Sequence, residues 1–401
     1  MSSLFESEEF PSVTDNEIFL IIRNSFAKHG FNEDNIRDHY PFEGGPNATA
    51  MQYGYWREAT FVLPRFSERK AATVSGLDVL VHLFMGEEAI PVECGERVLG
   101  PRFVSALQEL RLIQVEEGGA YRATVRIEPV NDLLVCADQF PAKLPMRHDY
   151  VYRPWDFSAQ LYARIIPPTR CGSFLEMCCG SAYVCLRAAR SAAESIYGVD
   201  INPRAVHFAE FNKKLNGIDN VTVCCGDLFE PVQSRRFDRV VAHPPYIPAL
   251  VDSVMYKDGG VDGERVSIDL IRGLPRHLSD GGEFYAYLSL SDRLDAPAEL
   301  RVREMLGADG QELDVALLIV SEESPVSFLL RRADPNPLSE QNEQLKEACK
   351  KLTITKFITT VLTIRSRRGS SPSTFRHRAT GWKTVTAMAA PNAAEKAPSV
   401  W

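Results

Sequence analysis

The chain has 401 residues, enough for two domains of ordinary size. Hydrophobic residues make up 45% and charged residues 24%, and no apolar run approaches the roughly 20 residues that span a bilayer, which argues against disorder and against a transmembrane helix. A formal net charge of −8 disfavours long nucleic acid as a partner, because it leaves no dominant surface for tracking phosphates.

The acidic start, MSSLFESEEF, has no basic region followed by an apolar stretch, so no signal peptide or mitochondrial presequence is expected; a cytoplasmic location, with no membrane partner, follows as the expectation. Over residues 16–27 the apolar Ile18, Ile21, Ile22 and Phe26 recur at helical spacing, with Thr14 and Asp15 as candidate N-caps. A second helix is expected after Ser75, through Leu77, Val79, Leu80 and Leu83, and a third over 101–112 through Phe103, Leu107 and Leu110. Gly118-Gly119 then separates two β-like runs, 112–115 and 121–127, so a small helical, winged-helix-like module ending in a hairpin is expected. Its third helix carries little positive charge, which favours dimerisation, as a homodimer, or a substrate lid over DNA binding. Prolines in 141–168, a stretch containing RHDYVYRPWDF, bracket a short helix over 158–165 that leads into the next part.

From Gly172 strand and helix signals alternate: SFLEMC, a helix over 183–191, SIYGVD, a helix over 203–215, VTVCCGD, FDRVVAHPPY, a helix over 264–278, and EFYAYLSL. This order predicts an α/β fold with a mostly parallel, doubly wound, Rossmann-like sheet. LDVALLIV and ITKFITTVLTI, separated by a polar helical stretch over 339–351, would complete it as an antiparallel edge pair. The last residues are rich in Arg, Ser, Ala and Pro and are expected to be a flexible tail. The chain thus divides into 1–145, 146–368 and 369–401.

Four strand ends carry the candidate chemistry. After SFLEM come Cys178, Cys179, Gly180, Ser181 and Ala182, small residues that let a cofactor approach the backbone, Gly180 above all. Asp200, in YGVDINP, stands where an acid accepts from both hydroxyls of a ribose. Asp227 ends the third strand, placed to accept from an adenine amino group, with Leu228 against the ring. The fourth ends in His243-Pro244-Pro245-Tyr246, where prolines donate no hydrogen bond and leave carbonyls facing the crevice, and where Tyr246 offers a planar face to the substrate. Nine cysteines show no C-x-x-C pair and no zinc-like spacing with histidine, so reduced thiols and no metal are expected.

In order and spacing, Glu176-x-Cys-x-Gly-x-Ala, Val199-Asp200-Ile201-Asn202-Pro203, Gly226-Asp227-Leu228 and His243-Pro244-Pro245-Tyr246 resemble the motifs of class I S-adenosylmethionine-dependent methyltransferases. The nearest likeness is to the glutamine N-methyltransferases of protein release factors, whose Gly-Gly-x-Asp-Gly segment YKDGGVDGERVSIDLIRGL also resembles. The resemblance covers about residues 149–365. It implies a seven-stranded sheet, with S-adenosyl-L-methionine bound by Glu176, Cys178, Gly180, Ala182, Asp200, Ile201, Asn202, Asp227, Leu228 and His243, and with His243, Pro244, Pro245 and Tyr246 at the acceptor. Two departures stand out. Cys178 and Ala182 replace glycines, and His243 replaces the Asn or Asp that accepts a hydrogen bond from the nitrogen being methylated.

The resulting expectation is in-line methyl transfer to a small metabolite bearing a nucleophilic nitrogen, or an oxygen, with S-adenosyl-L-homocysteine as product. A protein side chain such as glutamine is the second acceptor class. A winged-helix regulator that binds the cofactor and a nucleic-acid base methyltransferase complete the alternatives.

Overall fold

Helices come first in the chain, and their packing decides how the later sheet is held. The computed structural model describes residues 11, 16–40, 65–68, 73–139, 146–191, 193–248, 254–332, 340–366 and 372–379. Helix α1 (Asn16–Lys28) buries Ile18, Phe19, Ile22 and Phe26. Its candidate caps Thr14 and Asp15 lie outside the described residues. α2 (Glu33–His39) is capped by Asn32, which accepts from the Asn35 N–H at 2.9 Å. α3 (Gly76–Phe84) begins at Ser75 in a capping box with Asp78. β1 (Ile90–Pro91), α4 (Val92–Leu99), α5 (Pro101–Glu109), β2 (Ile113–Glu116) and β3 (Ala120–Ala123) follow, the three strands lying in the order β1-β3-β2.

The β-like run expected to reach Ile127 stops at Ala123. β4 (Arg126–Val130) instead pairs with β5 (Leu133–Ala137) across Asn131 and Asp132, at φ 47° and 61°. Two successive left-handed residues make the tight turn whose twist matches antiparallel strands.

α6 (Phe157–Ile165) leads into the sheet. Then come β6 (Cys171–Met177), α7 (Tyr183–Ser191), β7 (Ala193–Asp200), α8 (Pro203–Asn216), β8 (Val221–Cys225), β9 (Phe237–Ala242), α9 (Arg265–His277), β10 (Leu278–Arg293), α10 (Ala298–Leu306), β11 (Leu313–Glu323), α11 (Pro325–Arg332), α12 (Glu340–Lys351), β12 (Ile354–Ser366) and β13 (Thr374–Arg378). The strand order is β13-β11-β12-β10-β9-β6-β7-β8, and β12 alone runs antiparallel to its neighbours. Successive connections reverse direction between β6 and β9, which opens a crevice at the carboxyl ends of those strands. Among the described residues no helix is long and apolar enough to cross a membrane.

The sheet has eight strands rather than seven, and the eighth comes from the expected flexible tail. Thr374–Arg378 pairs parallel with β11. Charge rather than apolar periodicity holds it: the Arg376 guanidinium reaches Asp292, Glu299 and Glu322 at 2.8 to 3.2 Å, and Arg303 donates to Thr374 Oγ1 at 2.7 Å. Residues 380–401 lie outside the described residues.

α8 joins the two halves of the chain. Ala205, Phe208, Phe211 and Leu215 belong to one apolar cluster with α1, α3 and α5, and the Phe19 and Phe211 rings meet edge to face at 5.1 Å. Asn212 and Asn216, one turn apart, pair with the edge of β5 as another strand would. Asn212 accepts from Cys136 N–H at 2.7 Å and donates to its carbonyl at 2.9 Å, and Asn216 does the same with Leu134 at 2.9 and 2.7 Å. Four helical residues rise about 6 Å and two strand residues about 6.6 Å, so the two spacings match. Asp138, just past β5, takes Arg204 Nε at 3.0 and 3.1 Å in a buried ion pair. Phe211→Ala should therefore cost about 3–5 kcal/mol. Urea unfolding should show one cooperative transition moved as a whole; two transitions with one displaced would mean that the halves fold separately.

Candidate active site

The turn after β6 has an unusual backbone. Cys178, Gly180 and Ala182 have φ of 55°, 53° and 59°. A left-handed residue other than glycine costs about 1–2 kcal/mol, so Cys178 and Ala182 are strained where glycine would not be. Hydrogen bonds hold the turn: Cys179 N–H to the Val199 carbonyl at 3.1 Å, Ala182 N–H to the Cys179 carbonyl at 2.7 Å, and Gly180 N–H to Asp200 Oδ2 at 2.8 Å. A Cβ added to Gly180 would meet nothing within 4 Å, which leaves that point of the turn open.

A cavity of about 750 Å³ lies at the carboxyl ends of β6, β7 and β9, a size suited to a cofactor and part of a substrate. It brings together Glu176, Cys178, Gly180, Asp200, Ile201, Asn202, His243, Pro244, Pro245 and Tyr246. Three expected residues do not line it. Ala182 is fully buried, Asp227 is exposed in the turn after β8, and Leu228 packs with the sheet core around Tyr197 and Phe229.

Asp200 binds both turns at its end of the cavity, Oδ2 accepting from Gly180 N–H and Oδ1 from Asn202 N–H at 2.9 Å. Burial pushes its carboxyl up, while these N–H groups act in the opposite sense. Ile201 beside it is 54% exposed. The Asn202 side chain is occupied structurally: it caps α8 by accepting from Arg204 N–H at 2.9 Å and donates to the Asp149 carbonyl at 2.9 Å.

At the other end, His243 lies among the rings of Tyr162, Tyr287 and Tyr246, with centroids 5.3, 5.5 and 5.7 Å away. Burial lowers its pKa to about 4, Asp156 acting weakly in the opposite sense, so the imidazole is neutral at physiological pH. No described residue hydrogen-bonds its ring nitrogens. The loop after Tyr246 is clamped, Ile247 N–H donating to the Lys257 carbonyl at 3.0 Å and Gly259 N–H to the Ile247 carbonyl at 2.9 Å. Gly263 is required there, since a Cβ would come 2.6 Å from the Tyr246 carbonyl.

The sequence reading did not single out Tyr150, Tyr152, Tyr162, Tyr256 or Tyr287 as wall residues. All five line the cavity, and the Tyr152 and Tyr256 rings stack 4.7 Å apart. Two of them stand in YVYRP, a stretch whose proximity to the site was legible although its tyrosines were not assigned. Gly180→Val should cost about 1–2 kcal/mol in stability through backbone strain, yet lower S-adenosylmethionine affinity at least about thirtyfold by filling the open side of the turn. Thermal unfolding and equilibrium binding read the two effects separately, and unchanged affinity would remove Gly180 from the site.

The family described as a methyltransferase domain matches residues 170–298. A Methanocaldococcus jannaschii protein with the provisional name protein N5-glutamine methyltransferase is 35% identical over 141 residues, covering 34% of this chain and 70% of that protein. The release factor glutamine methyltransferase of Thermodesulfovibrio yellowstonii is 31% identical over 120 residues, 27% of this chain and 43% of the relative. The ribosomal protein uL3 glutamine methyltransferase of Bradyrhizobium diazoefficiens is 34% identical over 128 residues, 29% of this chain and 40% of the relative. The chain thus spans less than half the length of the latter two. With the strand order, the open glycine turn and the Asp200 carboxylate around one crevice, these matches make the chain a member of the class I S-adenosylmethionine-dependent methyltransferases, in the group that resembles the release-factor glutamine methyltransferases.

Proposed function

We propose that this enzyme methylates the side-chain amide of a glutamine in a protein, consuming S-adenosylmethionine and releasing S-adenosylhomocysteine. The observation that carries the reading is His243-Pro244-Pro245-Tyr246 at the carboxyl end of β9, on the same cavity as Gly180 and Asp200. All three relatives described above are named for glutamine methylation. The small-metabolite acceptor placed first on sequence grounds has no such support, and the protein side chain placed second takes precedence.

The residues present fit the cofactor. The two Asp200 oxygens meet three backbone N–H groups, of Gly180, Asn202 and Ile201, so their four lone pairs leave room for a ribose hydroxyl. Ile201 offers exposed apolar surface to the base, Gly180 permits close approach, and Glu176 faces the amino-acid end. When bound, the cofactor supplies a methyl group activated by a positively charged sulfur.

The chain's own residues act on the acceptor. Pro244 and Pro245 have no N–H, so the backbone there presents carbonyls alone to the amide N–H groups. The tyrosine rings around His243 exclude water and leave the imidazole in one neutral state. Its unprotonated nitrogen can hold an acceptor N–H, then take the proton once the nitrogen is alkylated. An alkylated amide nitrogen is a strong acid, so an imidazole of depressed basicity suffices. An alkylammonium would keep its proton against such a weak base, which favours an amide over an amine.

Against the regulator reading, the exposed face of α5 carries Arg102, Ser105, Gln108 and Glu109, and the end of the β2–β3 hairpin carries Glu116 and Glu117. That pattern offers phosphates no basic stripe.

Methyl-labelled cofactor incubated with a fractionated lysate should label protein, and peptide mass spectrometry should place the methyl on a glutamine amide. Label confined to small molecules would overturn the reading. His243→Ala should lower kcat about 100-fold with cofactor affinity nearly unchanged, and His243→Asn, restoring an uncharged acceptor, should recover part of the loss. At saturating cofactor the wild-type kcat should stay level through pH 6.5, the ordinary histidine value, and fall only toward about 4 as the imidazole gains its proton. A midpoint near 6.5 traced to His243 would contradict the buried neutral ring.

A further inference from the structure

Glu176, near the carboxyl end of β6, lines the cavity yet is only 3% exposed. Its hydrogen-bond donors among the described residues are uncharged: the Tyr162 hydroxyl of α6 at 3.4 Å from Oε1 and the Cys185 N–H of α7 at 2.8 Å from Oε2. The other titratable groups facing it are the Cys185 thiol and, in the turn, the thiols of Cys178 and Cys179, all pushed well up by burial. From β7 comes Asp200, of like charge, and beyond Tyr162 lies the neutral His243. No cationic side chain pairs with Glu176 among the described residues. Burial therefore raises its pKa to about 8, against the pull of Cys185 and Tyr162, so the free protein holds it largely protonated at neutral pH.

A buried carboxylate lacking a counter-ion, in a cavity read above as taking a ligand with an ammonium group, is an incomplete ion pair. We propose that the enzyme binds its cofactor by exchange for a proton: the Glu176 O–H bond breaks, the proton leaves to solvent, and the carboxylate becomes the counter-ion of the cofactor's ammonium. This rests on the S-adenosylmethionine reading of the cavity. Charge inside the cavity then rises by none, because the entering cation replaces the departing proton. Acidification opposes binding, since the proton and the ligand compete for one carboxylate.

The test is isothermal titration calorimetry of the full chain with S-adenosylhomocysteine, which has the same amino-acid end, in buffers of different ionisation enthalpy. Close to one proton should be released per ligand bound between pH 6 and 7, and affinity should rise about tenfold over that unit, where the ligand's α-amino group stays protonated. 5′-Methylthioadenosine, which lacks the amino-acid end, should bind with level affinity and no release. Glu176→Gln should bind S-adenosylhomocysteine without release, and Tyr162→Phe, losing a donor to the carboxylate, should move the midpoint above the wild-type value. The wild-type measurement decides the matter even if a variant does not fold. Binding without proton release, or equal release by Glu176→Gln, overturns the proposal and leaves the cofactor reading standing. No binding of either nucleoside at any pH overturns both.

Discussion

Asp200 joins the two turns from which the cavity is built. Its oxygens take N–H groups from Gly180, after β6, and from Asn202, ahead of α8, so one carboxylate fixes how far apart the two strand ends stand. Asn202 then caps α8 and holds the Asp149 carbonyl, which brings the tyrosine-bearing segment against the same opening. The crevice that strand order creates at the switch between β6 and β9 thereby acquires a defined floor and wall. The strain at Cys178 and Ala182 persists because this network over-determines the turn.

The two ends of the cavity solve different electrostatic problems. Around His243, aromatic rings keep a titratable group neutral, so it offers a lone pair without carrying charge. Around Glu176 the same dry surroundings make an ionised acid expensive until a cation arrives. One low-dielectric space thus disfavours charge at both residues, and on the proposed reading only Glu176 would meet a cation able to compensate.

The alternation from β6 to β10 was legible because each strand is a short apolar run closed by Gly, Asp or Pro, and the helices between them have clear periods. His243-Pro244-Pro245-Tyr246 was legible as a candidate site because it follows such a run. The wall tyrosines were not, since a tyrosine facing a cavity and one facing a core give the same pattern. The β4–β5 hairpin escaped because Asn131 and Asp132 adopt left-handed backbone without a glycine to mark it. β13 escaped because TFRHR has no apolar alternation; its place depends on acids supplied by β10, α10 and β11. Cys178 and Ala182 could be read as small, but not as left-handed. Leu228 was read as facing the cofactor; it stands half-buried against the sheet core at a positive φ of 41°, which its sequence did not mark.

The amide ladder from Asn212 and Asn216 to β5 has a consequence for how the protein can be divided. A polypeptide beginning at residue 146 would keep every strand of the large sheet, yet it would present Phe208, Phe211 and Leu215 of α8 to water. The same cut would strip both asparagine amides of their strand partner and leave Arg204 without Asp138. Such a surface is sticky and poorly hydrated at once. The helical half is therefore the missing outer layer of the sheet domain, covering one helix that a free-standing version would have to resurface.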